Sequence, residues 1–135
     1  MKPALSLGLF GFFGRSAVLR VFDADLRAVD LHPNLVPEAV KLTAMRLLMD
    51  RAHGNDPSAE ESRAAAEIIA YCMIGADAFA GANGLPLTED VEQRIDAALG
   101  YGTSLDAKLV LLTLHANVAQ PSVVNHFRLE SDQES

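Results

Sequence analysis

The sequence predicts an all-α protein, a single compact domain of about six helices in an orthogonal or irregular bundle, with two central apolar helices. Three observations carry that expectation. Alanine (21) and leucine (19) dominate, whereas isoleucine and threonine number four each. Small and straight-chain residues lose little freedom in a helix, and β-branched residues lose more. Apolar residues recur at helical steps, with no segment alternating at the period-two spacing of a half-buried strand. Finally, residues that cap or break helices fall between those segments. At 135 residues the chain can bury a core without disulfides or metals. With no linker or convincing repeat, it reads as one domain over 1–135. An apolar Gly/Phe segment occupies 1–15, and a polar acidic tail occupies 130–135.

The first helix is expected from Ser16 to Val29, with Val18, Leu19, Phe22, Leu26 and Val29 as its apolar stripe. Arg20, Asp23, Arg27 and Asp30 alternate in sign on another face, a spacing that suits a ladder of solvated ion pairs. Leu31-His32-Pro33-Asn34 is a connector, because a residue before proline avoids the helical region. Pro37 suits the first turn of a second helix, which continues to about Ala52 and stops in the turn cluster His53–Pro57.

Ser58 and Glu61 have capping-box spacing for a third helix. From Ile68 to Ala76 that helix is apolar all round except for the tips of Tyr71 and Cys72, the mark of a buried element. Gly75, Gly81 and Gly84 bracket a short helical turn around Asp77–Ala82, and Gly81-Ala-Asn-Gly84 reads as a turn suited to positive φ. Thr88 is the expected N-cap of a fifth helix. There Val91, Ile95, Ala98 and Leu99 face inward, and Glu89, Asp90, Glu92, Gln93, Arg94 and Asp96 face water. Gly100 and Ser104 end one helix and cap the next. That sixth helix, Leu105 to about Ala119, has Asp106, Thr113, Asn117 and Gln120 on one stripe, Lys108 and His115 on the opposite one, and leucines between. Pro121 opens a last short helix through Phe127.

Composition narrows function. A net charge of −7 with only three lysines would repel a phosphate backbone, so nucleic acid is not an expected partner. One cysteine, Cys72, excludes an internal disulfide and the multi-cysteine zinc patterns, and fits a reducing cytoplasm. No cofactor is expected. Catalysis by a Cys72–His115 pair would need an exposed, electropositive thiolate, yet Cys72 lies among Ile68, Ile69, Met73 and Ile74. It reads as a small core residue. Asp23, Asp25, Asp30 and His32 match no metal-binding loop, and His115, Asn117 and His126 have no spacing that makes them converge. The run Gly100-Tyr-Gly-Thr-Ser lacks the lysine of a phosphate loop, and Lys108, near a first turn, is expected to extend to water.

The feature that stands apart is the run from Pro3 to Gly14. It holds twelve residues without a charge, three of the six phenylalanines and a glycine at every third position from Gly8. It is too short to span a bilayer, and its glycines and the lack of a small-residue cleavage site argue against a signal peptide. So much apolar surface must be covered by something. The first expectation is a non-catalytic protein–protein contact, as a homodimer or with another protein, through Leu7, Leu9, Phe10, Phe12 and Phe13. The second is a small-molecule-binding protein or small helical enzyme, its pocket between the third and sixth helices lined by Tyr71, Cys72, His115 and Asn117. A third, attachment to a membrane surface, is weakened by the scarcity of Lys and Arg.

Overall fold

Prolines and glycines set most helix boundaries. A computed structural model describes residues 17–53, 56–100 and 103–129, and these contain seven α-helices and no strand. Helix α1 covers 17–28. After it, Asp30 turns the chain with φ 70° and His32 is extended, its Nδ1 accepting from the Asn34 N–H. A 3-10 turn, Pro33–Leu35, then leads to α2, Glu38–Arg51. Pro37 stands one position earlier than expected, as the N-cap with ψ 142° rather than inside the first turn. The remaining helices are α3 (Ala59–Ile74), α4 (Ala76–Asn83), α5 (Leu85–Leu99), α6 (Leu105–His115) and α7 (Pro121–Phe127).

The capping box forms: Ser58 Oγ accepts from the Glu61 N–H, and Glu61 Oε1 accepts from the Ser58 N–H, both at 3.0 Å. Two orphan donors of the first turn are thereby satisfied. Ser104 caps α6 by a single bond, its Oγ accepting from the Ala107 N–H. Thr88, by contrast, is not a cap. Pro86 fits the first turn of α5 without cost, so the helix starts at Leu85 and Thr88 lies inside it, buried, with its hydroxyl returned to the Gly84 carbonyl. Only Gly84 of the Gly81–Gly84 stretch has positive φ; Gly81, Ala82 and Asn83 belong to α4. The Asn83 amide donates to the Val29 carbonyl at 3.1 Å, tying α4 to the end of α1.

Helix α3 is the centre. Every residue from Ala65 to Cys72 is buried, and α3 packs against α2, α4, α5 and α6. Phe22 and Leu26 of α1, Leu48 of α2, Phe79 of α4, Val91 and Ile95 of α5 and Leu109 of α6 join the same core, each fully enclosed. The second expected central helix is covered on fewer sides. In α6, Ala107, Leu109, Val110 and Thr113 are buried, while Leu111, Leu112 and Leu114 are half-buried. It also ends at His115 rather than near Ala119, since Asn117 turns the chain with φ 64°. Leu99 is exposed as well, contrary to the pattern that placed it inward.

Of the described glycines, Gly75 stands tightest against its surroundings. Its φ of 91° and ψ of 163° are open to glycine but not to residues with a side chain, and they break α3 from α4. The break frees the Cys72 carbonyl, which accepts from the Gln120 N–H at 2.8 Å just before α7. A Cβ at Gly75 would stand 3.3 Å from Ser122 Oγ. Gly75→Ala should therefore destabilise the protein by about 1–3 kcal/mol. Gly81→Ala, on an exposed face of α4 with nothing within 4 Å of the new methyl, should stabilise it by about 0.5–1 kcal/mol. Urea denaturation of the two variants beside wild type checks both signs.

Candidate functional site

Two buried polar side chains of α3, Glu67 and Tyr71, are satisfied by α5. Glu67 is buried, and its Oε1 accepts from Arg94 at 2.8 Å. Arg94 also donates to the Ala64 carbonyl at 2.9 Å and lies 3.7 Å from Asp106 of α6. Tyr71, 1% exposed, donates its hydroxyl to Glu92 at 2.7 Å. Its ring meets Phe79 and Phe127 edge-on, with centroids 5.7 and 6.2 Å away. Burial, and next the Glu92 carboxylate, push the tyrosine hydroxyl well above its ordinary range, so it stays a neutral donor. Arg94 and Glu92, read in the sequence as solvated, are instead half-buried connectors. The alternating charges that make α5 look wet on one face hide which of them has a partner on α3.

Removing Arg94 would leave the Glu67 carboxylate buried without its cation. Arg94→Ala should cost about 2–3 kcal/mol. Asp90→Ala should cost less than about 0.5 kcal/mol, because that carboxylate is 60% exposed and 3.8 Å from Arg94. Equilibrium unfolding separates the two.

Cys72 is fully enclosed. Burial pushes its thiol up to about 12 from an ordinary 9.0, against a smaller opposing effect of a hydrogen bond with Thr113. A nucleophilic thiolate needs the reverse environment. His115 and Asn117 are exposed at the end of α6, so the chain does not bring the four residues Tyr71, Cys72, His115 and Asn117 to one solvent-facing wall. Because the folded thiol holds its proton more tightly than the unfolded one, its contribution to stability is complete below pH 9 and is lost as pH rises towards 12. The loss from Cys72 should be on the order of 1 kcal/mol between pH 8 and pH 10. Urea titrations of wild type and Cys72→Ala at the two pH values should show that slope in wild type and its reduction in the variant. In native protein the thiol should react slowly with a thiol reagent, and in denaturant quickly.

The acidic residues of α1 are used across helices rather than along their own. Asp23 faces Lys41 of α2 at 3.5 Å, and Asp25 accepts from the Ser62 hydroxyl of α3 at 2.8 Å. The expected ladder with Arg20 and Arg27 is replaced by these pairings, because the buried Lys41 needs a partner more than an exposed arginine does. Among the described residues, no three His, Cys, Asp or Glu side chains cluster as a metal site. Lys108 is exposed, as are His115 and His126. No described helix is long and apolar enough to cross a membrane.

What the surface does carry is an apolar groove between α1 and the start of α3. The Asp25–Ser62 hydrogen bond pins the two helices together; one and two turns back along α1, towards its start, they leave a space of about 240 Å³. Ala17, Val18 and Val21 of α1 line one side, and Asp56, Pro57, Ala59 and Ser62 line the other. Val21 is 46% exposed and Ala59 is exposed. Sequence reasoning missed the groove, since Val21 lies off the stripe that defines the helix. The expected contact residues Leu7, Leu9, Phe10, Phe12 and Phe13 lie outside the described residues. No family model, curated protein or solved structure matches the chain.

Proposed function

We propose that this protein is a non-catalytic helical module that works by protein–protein contact, chiefly with a second copy of itself. The observation that carries this reading is the uncharged Pro3–Gly14 run, with three of the six phenylalanines in twelve residues. The buried polar groups support it from another direction. Glu67, Tyr71, Lys41 and Ser62 each have a partner inside the fold and serve to join helices. The enclosed thiol of Cys72 fits a reducing cytoplasm as the place of work.

Energy favours such a contact. Phenylalanine and leucine side chains contribute about 1.5–3 kcal/mol each when fully buried. Several of them offset the cost of losing free rotation and translation on association. Surface charge of one sign opposes pairing, but at physiological salt it is screened beyond about 8 Å. Light scattering at high micromolar concentration should give twice the monomer mass for the full chain and the monomer mass for a truncation beginning at Arg15. Phe12→Ser with Phe13→Ser should shift the full chain towards monomer with unchanged helical circular dichroism. A monomeric wild type would end this reading. Loss of helical signal in the double variant would assign the run to the protein's own core.

A further inference from the structure

We infer that α7 is a hinged strap: it lifts as a unit when Asn117 turns helical and α6 grows through Ala119, and its lifting uncovers the Tyr71 ring and the end of α3. The motion takes place within one chain and does not depend on self-association.

The hinge lies between α6 and Pro121. Asn117 has a φ of 64°, in the left-handed region that side chains disfavour, and the N–H groups around it bond irregularly. Asn117 donates to the Leu114 carbonyl, while Val118 and Ala119 both donate to that of Thr113. If residues 116–119 turn helical, the same three N–H groups meet the carbonyls of Thr113, Leu114 and His115, four residues back. No donor is lost. The apolar spacing of α6 also runs on past His115 to Ala119, so the sequence suits the longer helix that the reversal interrupts. Gln120 already has φ −65° and ψ 139°, the extended form favoured before Pro121, and it keeps that form in either state.

The hold on α7 is slight. Each of α1 to α6 is pinned across the fold by a side-chain hydrogen bond or ion pair, and among the described residues α7 has none. One backbone hydrogen bond, from the Gln120 N–H to the Cys72 carbonyl, ties 120–129 to another element. Beyond it the segment is held by three buried apolar side chains, Val123, Phe127 and Leu129, whose contacts have no preferred direction. Global unfolding releases the whole core, whereas lifting releases these three, so the opening lies below it in free energy. It bares the side of Tyr71 that Phe127 meets edge-on, together with the Cys72 carbonyl.

Amide exchange of the full chain, followed residue by residue by NMR, is the test. A lifted helix of seven residues does not hold itself together in water. Gln120, Val124 and Leu129 should therefore exchange roughly a hundredfold faster than Ile68 and Cys72, with a weaker dependence on urea. Val118 and Ala119 should stay protected with α6, because their N–H groups change partner rather than lose one. Asn117→Ala removes a residue type that tolerates the reversal and favours the helix, so it should speed exchange at Val124 and Leu129 by about tenfold. Asn117→Gly suits positive φ and disfavours the helix, so it should slow that exchange. Val118 and Ala119 exchanging as fast as Val124 would show that the segment frays, and would overturn the hinge. Exchange of Val124 and Leu129 only at the rate and urea dependence of Ile68 would show that α7 opens with the whole core, and would overturn the strap.

Discussion

The structure depends on one constraint: α3 is buried from Ala65 to Cys72, so any polar group in that stretch must find its partner inside the protein. Two such groups, the Glu67 carboxylate and the Tyr71 hydroxyl, sit one turn apart and both point to α5. Arg94 and Glu92 answer them from positions two residues apart on α5. The hydrophobic residues could pack in several registers, since apolar contact is nondirectional. The two polar pairs admit one. They fix both the rotation of α5 about its axis and its position along α3, and Arg94 extends the same constraint to α6 through Asp106.

A similar division holds at the other side of α3. Asp25 and Ser62 set where α1 crosses it, and Asp23 with Lys41 sets α1 against α2. Apolar residues such as Phe22 and Leu26 supply the buried area, while these four polar residues decide its geometry. Because the polar contacts hold α1 at its middle, its first turns are free to stand off from Pro57 and Ala59. The groove is thus a product of where the pins were placed.

The helices themselves were legible in the sequence wherever local chemistry decides them. Ser58 with Glu61, Ser104, Pro121 and the extended His32 behave as their residue types demand, and the apolar run through Ile68–Cys72 marks α3 as central. Boundaries were misread where two local signals competed. Thr88 offers a cap, but Pro86 tolerates an earlier start and Gly84 already provides the turn. The Asn117 reversal cuts α6 short, although the apolar period continues past it. Pairings between helices were hidden altogether, because Arg94, Glu92, Asp23 and Asp25 look like any charged residues on a helix surface. Their partners lie 18 to 37 residues away in the chain. The groove was hidden for the same reason, as its walls come from residues 17–21 and 56–62.

The link between the Cys72 carbonyl and the Gln120 N–H has a consequence for how the protein is made. It joins the last turn of α3 to the entrance of α7 across 48 residues, and α7 then lays Phe127 against the Tyr71 ring. The middle of the molecule is therefore finished by nearly the last residues described. During synthesis, α1 to α5 emerge with one side of Tyr71 and the end of α3 still open to water. A ribosome adding about 5–20 residues per second takes several seconds to pass from residue 72 to residue 129. Helices form in microseconds, so they wait on the ribosome rather than the reverse. The nascent chain thus exposes a helical but unsealed core, and the window closes only when Phe127 and Leu129 leave the exit tunnel.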